Sequence, residues 1–415
     1  MKSSLKLIMA SACLLASASS PGALVTEDKF TSGSDGIIKN WITEATNSVI
    51  GTAAAGFRSK LNLARQARLE TNMAESVKLL VSILEAPAPD EYKRVALLEL
   101  ALVAQQADQL PRALQILAQY VRRYPEDPSV PAVLLRQGLI CRQMGAHQMA
   151  LAKFYAVMTT ALNLKLDRFQ RYQRLVLQAQ VEIAETHDLR GNYAEAAESY
   201  TRLLTQDTTD LNRAQIQFKL IHCLTKLDRD AEVVAQTEDF LARYPEGIEQ
   251  PEVRFLLIGS LKRLQRVGEA IRQVLLLLQS EQAAAAQEPE RWAYWQQRAG
   301  NEIANQLYMQ GDYVNALEIY RRLAEVGQSP TWKLQALYQV GLTYERLQQP
   351  QRAIETYDRV LTLTEDANAH ADVGVQTVLD MAKWRKEYLT WLSQAEQARQ
   401  TINQLHPPAN SSILR

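Results

Sequence analysis

The sequence predicts an all-α chain of about eight stacked helical hairpins, and three observations carry that prediction. Composition is the first: Ala, Leu, Gln, Arg and Glu dominate the 415 residues, with only 16 Gly and 14 Pro. These abundant types lose little side-chain freedom in a helix. The second is an internal offset of 120 positions. Arg123-Tyr124-Pro125-Glu126 returns as Arg243-Tyr244-Pro245-Glu246, Gly191-Asn192-Tyr193 as Gly311-Asp312-Tyr313, and Ile183-Ala184 as Ile303-Ala304. The third is a shorter unit inside each block, in which a small residue is followed four positions later by a larger, usually apolar one.

The small positions are Ser76, Ala113, Ala150, Ala196, Val233, Ala270, Ala316 and Ala353, spaced 37, 37, 46, 37, 37, 46 and 37 apart. Their partners are Leu80, Leu117, Phe154, Tyr200, Thr237, Val274, Tyr320 and Tyr357, with Val233/Thr237 the poorest fit. Residues four apart share one helical face, so each pair marks the inward side of a second helix. Gly138, Gly341, Ala184 and Ala304 are the matching close-contact positions on the preceding helices. Gly145, Gly191, Gly311 and Gln349-Pro350 read as the turns between helices. Pro125 and Pro245 stop second helices, because proline cannot continue the hydrogen-bond ladder.

The flanks read as caps. Residues 36–57 form an N-terminal capping helix with Ile38, Trp41, Ile42, Ala45 and Val49 on one face. Residues 58–371 hold the repeats, and 372–405 form a C-terminal capping helix carrying Trp384, Tyr388, Trp391 and Leu392. Stacked repeats need such ends to cover their terminal apolar faces. Residues 279–290 read as a helix extension or loop, and 24–35 and 406–415 as disordered segments.

Residues 1–23 read as an export signal, with Lys2 and Lys6 ahead of an apolar run from Leu7 to Leu15 and small residues up to Ala23. Cleavage near Ala18–Ala23 is expected. A lipid on Cys13 is the lesser alternative, because only Leu7-Ile8-Met9 would remain as its apolar core. No other apolar run is long enough to span a bilayer. Cys141 and Cys223 lie two repeats apart and read as small buried hydrophobes rather than a disulfide.

Lys plus Arg and Asp plus Glu number 46 each, which leaves no basic field for nucleic acid. Phosphate loops, nucleophile elbows and zinc helices are all lacking in the sequence, and the five histidines are scattered. The reading is a non-enzyme without cofactor or metal. The acidic pairs Glu185/Asp188 and Glu195/Glu198 read as solvated helix faces.

The small-then-aromatic pairs and late prolines resemble the tetratricopeptide repeat family, most closely over Ala304–Leu323 and Val340–Leu361. The units run to 37 residues rather than about 34, and the family's early tryptophan is missing. The resemblance implies a right-handed superhelical solenoid whose first helices line a concave groove. Carried onto this chain, the groove positions are Leu135, Leu139, Arg142, Phe218, His222, Lys226, Phe255, Lys262, Arg263, Arg298, Asn301, Asn305, Tyr338, Leu342 and Arg346. Such a set suits a protein or extended peptide, whose acidic groups would meet Arg and Lys.

The segment Arg122-Arg123-Tyr124-Pro125-Glu126-Asp127-Pro128, followed by Gly138, is similar to exported repeat proteins of bacterial envelopes. Those include the lipoprotein of the outer-membrane β-barrel assembly machinery and the division coordinator of the Tol–Pal system. The resemblance implies a periplasmic or outer-membrane-associated scaffold without a transmembrane helix. The alternative is a solenoid that binds or guides exopolysaccharide during export.

Overall fold

The computed structural model describes residues 55–162, 169–206, 208–279, 288–326, 330–365 and 373–405. The expected signal, the segment 24–35, nearly all of the N-terminal cap and the tail 406–415 lie outside them. Among the described residues there are seventeen helices and no strand. They fall into two compact bodies, divided between Leu227 and Asp228.

The N-terminal body holds α1 (Ala55–Leu69), α2 (Met73–Glu85), α3 (Asp90–Gln106), α4 (Leu110–Arg123), α5 (Val130–Gln143), α6 (His147–Leu162), α7 (Phe169–Leu189), α8 (Tyr193–Leu204) and α9 (Arg213–Lys226). The C-terminal body holds α10 (Asp230–Arg243), α11 (Gln250–Arg263), α12 (Val267–Gln279), α13 (Pro289–Gln310), α14 (Tyr313–Val326), α15 (Pro330–Arg346), α16 (Pro350–Glu365) and α17 (Val373–Leu405). In both bodies each helix packs on the next, and first helices also touch across neighbouring hairpins: α1 on α3, α5 on α7, α11 on α13. Pro111, Pro131 and Pro251 stand in the first turns of α4, α5 and α11, where a missing N–H removes no ladder bond.

The turns inside the hairpins share one design. A residue with positive φ follows the first helix: Thr71, Asp108, Gly145, Gly191, Asp228, Gln265, Gly311 and Gln348. At seven of the eight the next amide then reaches back five positions, as when Gln109 N donates to Ala104 O at 2.8 Å and Asp312 N to Leu307 O at 2.9 Å. This closes orphan carbonyls at the helix end. The eight left-handed residues repeat the 37, 37, 46 spacing of the small positions. Only three of them are glycine.

All eight small positions are fully buried, and so are their eight partners. The poor pair is explained by the Thr237 hydroxyl, which donates to Val233 O at 2.7 Å and needs no outside acceptor. Ser76 instead donates across its hairpin to Ala64 O at 2.8 Å. Glycines sit where the rings press hardest. A Cβ on Gly138 would lie 2.3 Å from Phe154, and one on Gly341 would lie 2.4 Å from Tyr357. Cys141 and Cys223 are unbridged and buried, and burial, with Asp188 alongside, pushes the Cys223 thiol up to about 12.

Candidate partner-binding face

In the N-terminal body the first helices α5, α7 and α9 bring charged side chains together. Arg142 approaches Glu182 at 2.6 Å and Glu185 at 3.1 Å, and Lys219 pairs with the other oxygen of Glu185. Gln178 donates to Glu182 at 2.5 Å. Glu182 is almost wholly enclosed, and loss of water raises its carboxyl to about 7 against the pull of Arg142. Asp188 is raised by burial too, with Lys219, His222 and the Cys223 thiol around it. The Phe218 ring meets His222 edge to face, 4.6 Å between centroids.

This cluster corrects one expectation. Glu185 and Asp188 do not solvate an outer face; they lie among the cations of neighbouring first helices. Glu195 and Glu198 are exposed. Arg142 is neutralised from within, whereas Lys226, at the end of α9, is exposed.

In the C-terminal body the same construction recurs 120 residues on. Lys262 pairs with Glu302 at 2.5 Å, so Arg142/Glu182 and Lys262/Glu302 are equivalent pairs. Arg263 clasps Asp230 at 2.5 Å and holds that carboxyl below its ordinary range. Arg346 donates to the Tyr308 hydroxyl at 3.2 Å, and Asn305 accepts from Tyr320 at 2.6 Å. Asn301 is half-buried on α13.

A different grouping lies on α11 and α13. Phe255 and Trp295 are 5.0 Å apart, and Tyr294 stands 4.9 Å from Trp295. The exposed Arg298 guanidinium lies 4.8 Å over Phe255 and 5.5 Å from Trp295, and donates to the Tyr294 hydroxyl at 2.9 Å. All three rings are half-buried and none belongs to the fully buried core. Such a cation over rings contributes about 0.5–1 kcal/mol at an exposed site and keeps the cluster ordered.

The structure therefore brings together Phe218 with His222, and Phe255 with Arg298, among the residues read from the sequence. Leu135, Tyr338 and Leu342 offer a partner nothing, because all three are buried in the core. Tyr338 accepts from Arg385 at 3.3 Å instead. Leu139 packs half-buried against the same core as Leu135. Sequence reasoning missed Glu182, Glu185, Glu302, Tyr294 and Trp295 as members of these groups. The 120-residue offset held a signal for two of them, since it carries Arg142 and Glu182 together onto Lys262 and Glu302.

Hairpins repeated at fixed spacings, with left-handed turns and ion pairs between successive first helices, define a class of helical-repeat proteins. Three segments match models of the tetratricopeptide repeat, at residues 98–161, 181–214 and 297–366. Those segments are tetratricopeptide-like repeats, which point to a protein–protein interaction scaffold and are typically non-catalytic.

Among solved structures it is similar to a tetratricopeptide repeat protein from Parabacteroides merdae, 14% identical, covering 70% of this chain and 98% of that one, TM-score 0.39. It is also similar to the C-terminal part of a repeat-containing protein from Cytophaga hutchinsonii, 12% identical, covering 77% and 99%, TM-score 0.42. No curated protein sequence matches it. Among the described residues no helix is long and apolar enough to cross a membrane.

Proposed function

We propose that this chain is an exported scaffold of the bacterial envelope that holds an extended segment of a partner protein against the first helices of its C-terminal body. The observation that carries the reading is the Phe255, Tyr294, Trp295 and Arg298 cluster, which spans two consecutive first helices and keeps its rings partly open to solvent. Aromatic rings and Arg are the side chains that most often anchor partners. The ion pairs refine the partner's chemistry. Lys262, Arg263 and Arg142 already have carboxylates, so an acidic peptide gains little from them. The fitting segment is apolar or aromatic, with one acceptor for Arg298. The residues 1–23, with their charge-then-apolar order, support export.

The test is capture from envelope extracts by the mature chain, quantified for defined proteins. Phe255→Ala and Trp295→Ala are each expected to weaken capture at least about tenfold, and Arg263→Ala to leave it within about twofold. Capture indifferent to both ring deletions contradicts the reading. The same three rings favour a second one, stacking against a sugar face during polysaccharide export. Retention of envelope polysaccharide, with no protein dependent on Trp295, selects that reading. Sequencing the N-terminus of the exported chain tests compartment and processing together: a start between residues 19 and 24 is expected, and a lipidated start at Cys13 contradicts it.

A further inference from the structure

The last helix carries a second surface. Its inward face, Val375, Val378, Leu379, Ala382 and Leu389, is buried against α15 and α16. Arg385 pairs with Glu345 at 2.8 Å, and Lys386 with Asp358, which fixes this half of α17 in place. Beyond Leu389 no described side chain of α17 is buried. The helix nevertheless continues to Leu405. In proteins most helical stability comes from packing an amphipathic face, and this stretch has no described neighbour to pack on.

The uncovered face is apolar in a specific order. Trp384 is 60% exposed, Tyr388 47%, Trp391 62% and Ile402 59%, with Leu392 beside them at 39%. Trp384 and Tyr388 stack at 5.6 Å between centroids, and Trp391 continues the ladder 6.4 Å from Tyr388. With Ala395, Ala398 and Ile402 the three rings run at alternating spacings of four and three, the 3.5-residue period of a seam between two helices.

We propose that this seam is a self-association surface, on which a second copy of the chain lays the same helix antiparallel. Three features point to a second copy. The stripe is self-complementary: a two-fold axis near Gln394 and Ala395 sets Trp391 of one protomer against the small Ala398 of its partner, and Tyr388 against Ile402. Large side chains facing small ones let two helices interlock.

The area is sufficient. Aromatic side chains cover about 150–250 Å² each, so at these exposures the stripe leaves roughly 500 Å² open per copy. Two copies would cover about 1,000 Å² at full burial, the threshold for a biological interface and the size of a weak, concentration-dependent one. The charge also fits. Glu396 and Arg399 are the only charged residues from Tyr388 to Leu405, and they pair with each other at 3.6 Å. Of the basic residues beside Trp384, Arg385 and Lys386 are already paired with Glu345 and Asp358, which leaves Lys383 as a thin basic flank for a membrane surface, and a sugar would make no use of Ala395, Ala398 and Ile402.

The experiment is sedimentation of the full chain across a concentration series. A concentration-dependent dimer is expected. Trp391→Glu and Ile402→Glu are each expected to raise the dissociation constant roughly 30-fold or more with helicity and melting unchanged, since both side chains are exposed. Under oxidation Ala395→Cys should form a linked dimer and Trp384→Cys should not. A monomer throughout overturns the proposal, as does a dimer that survives Trp391→Glu, or one that links through position 384 instead of 395.

Discussion

Gly138 has no side chain because Phe154 occupies the space that one would need. Two effects compete when that glycine is changed to alanine. Alanine favours the helix by about 1 kcal/mol, but its Cβ would lie 2.3 Å from the ring, far inside contact distance. Overpacking costs about 1–3 kcal/mol, and the steric effect wins. Gly138→Ala and Gly341→Ala should therefore lower the thermal midpoint, whereas Gly268→Ala, with nothing within 4 Å, should not. Equal behaviour of all three would contradict the close approach.

Glu182 gives the N-terminal body a pH dependence. Burial raises its carboxyl from 4.5 to about 7. Between those values the folded state holds a proton that the unfolded state has released, so stability falls as pH rises through the window and levels off above it. Urea midpoints should decline from about pH 5 to about pH 7.5, and Glu182→Gln, which keeps the shape of the protonated acid, should flatten the decline. A midpoint that rises over the same range in the parent alone would sink this account.

At the scale of elements, the turns offer a sharper test. Asp108, Gln265 and Gln348 adopt φ of 56°, 60° and 58°, where glycine is at ease and other residues are strained. Replacing each by Gly relieves that strain but loosens the unfolded chain, and the net expected gain is about 0.5 kcal/mol. Gly191→Ala, at φ 76°, should lose about 1 kcal/mol. Denaturant midpoints decide both signs.

These turns also mark what was legible in the sequence. Three carry glycine and could be read directly. The other five place ordinary side chains in the same left-handed conformation, so no local signal announces them. Their places were still readable, because the small-then-large pairs set the 37, 37, 46 rhythm that the turns follow. The long units owe part of their extra length to α7 and α13, of 21 and 22 residues.

At the scale of the whole molecule, the cations of the first helices were legible but the groups they hold were not. Arg142 and Lys262 stand out as basic residues on the right helices; their acids lie 40 residues away, on the next first helix, and only the packing brings them close. Tyr294 and Trp295 were hidden for a related reason, since an aromatic on a repeat helix reads as core until its exposure is known. The exposed ladder on α17 was visible as a run of aromatics, yet its outward direction depends on which face α15 and α16 cover.

A photo-crosslinking residue in place of Trp295, in the chain expressed in its own envelope, tests the central claim most directly. Adducts to a protein are predicted at this position and not at Met309, which is 65% exposed on the same helix but outside the ring cluster. Equal adducts at both positions, or none at Trp295, would contradict a partner-binding face on α11 and α13.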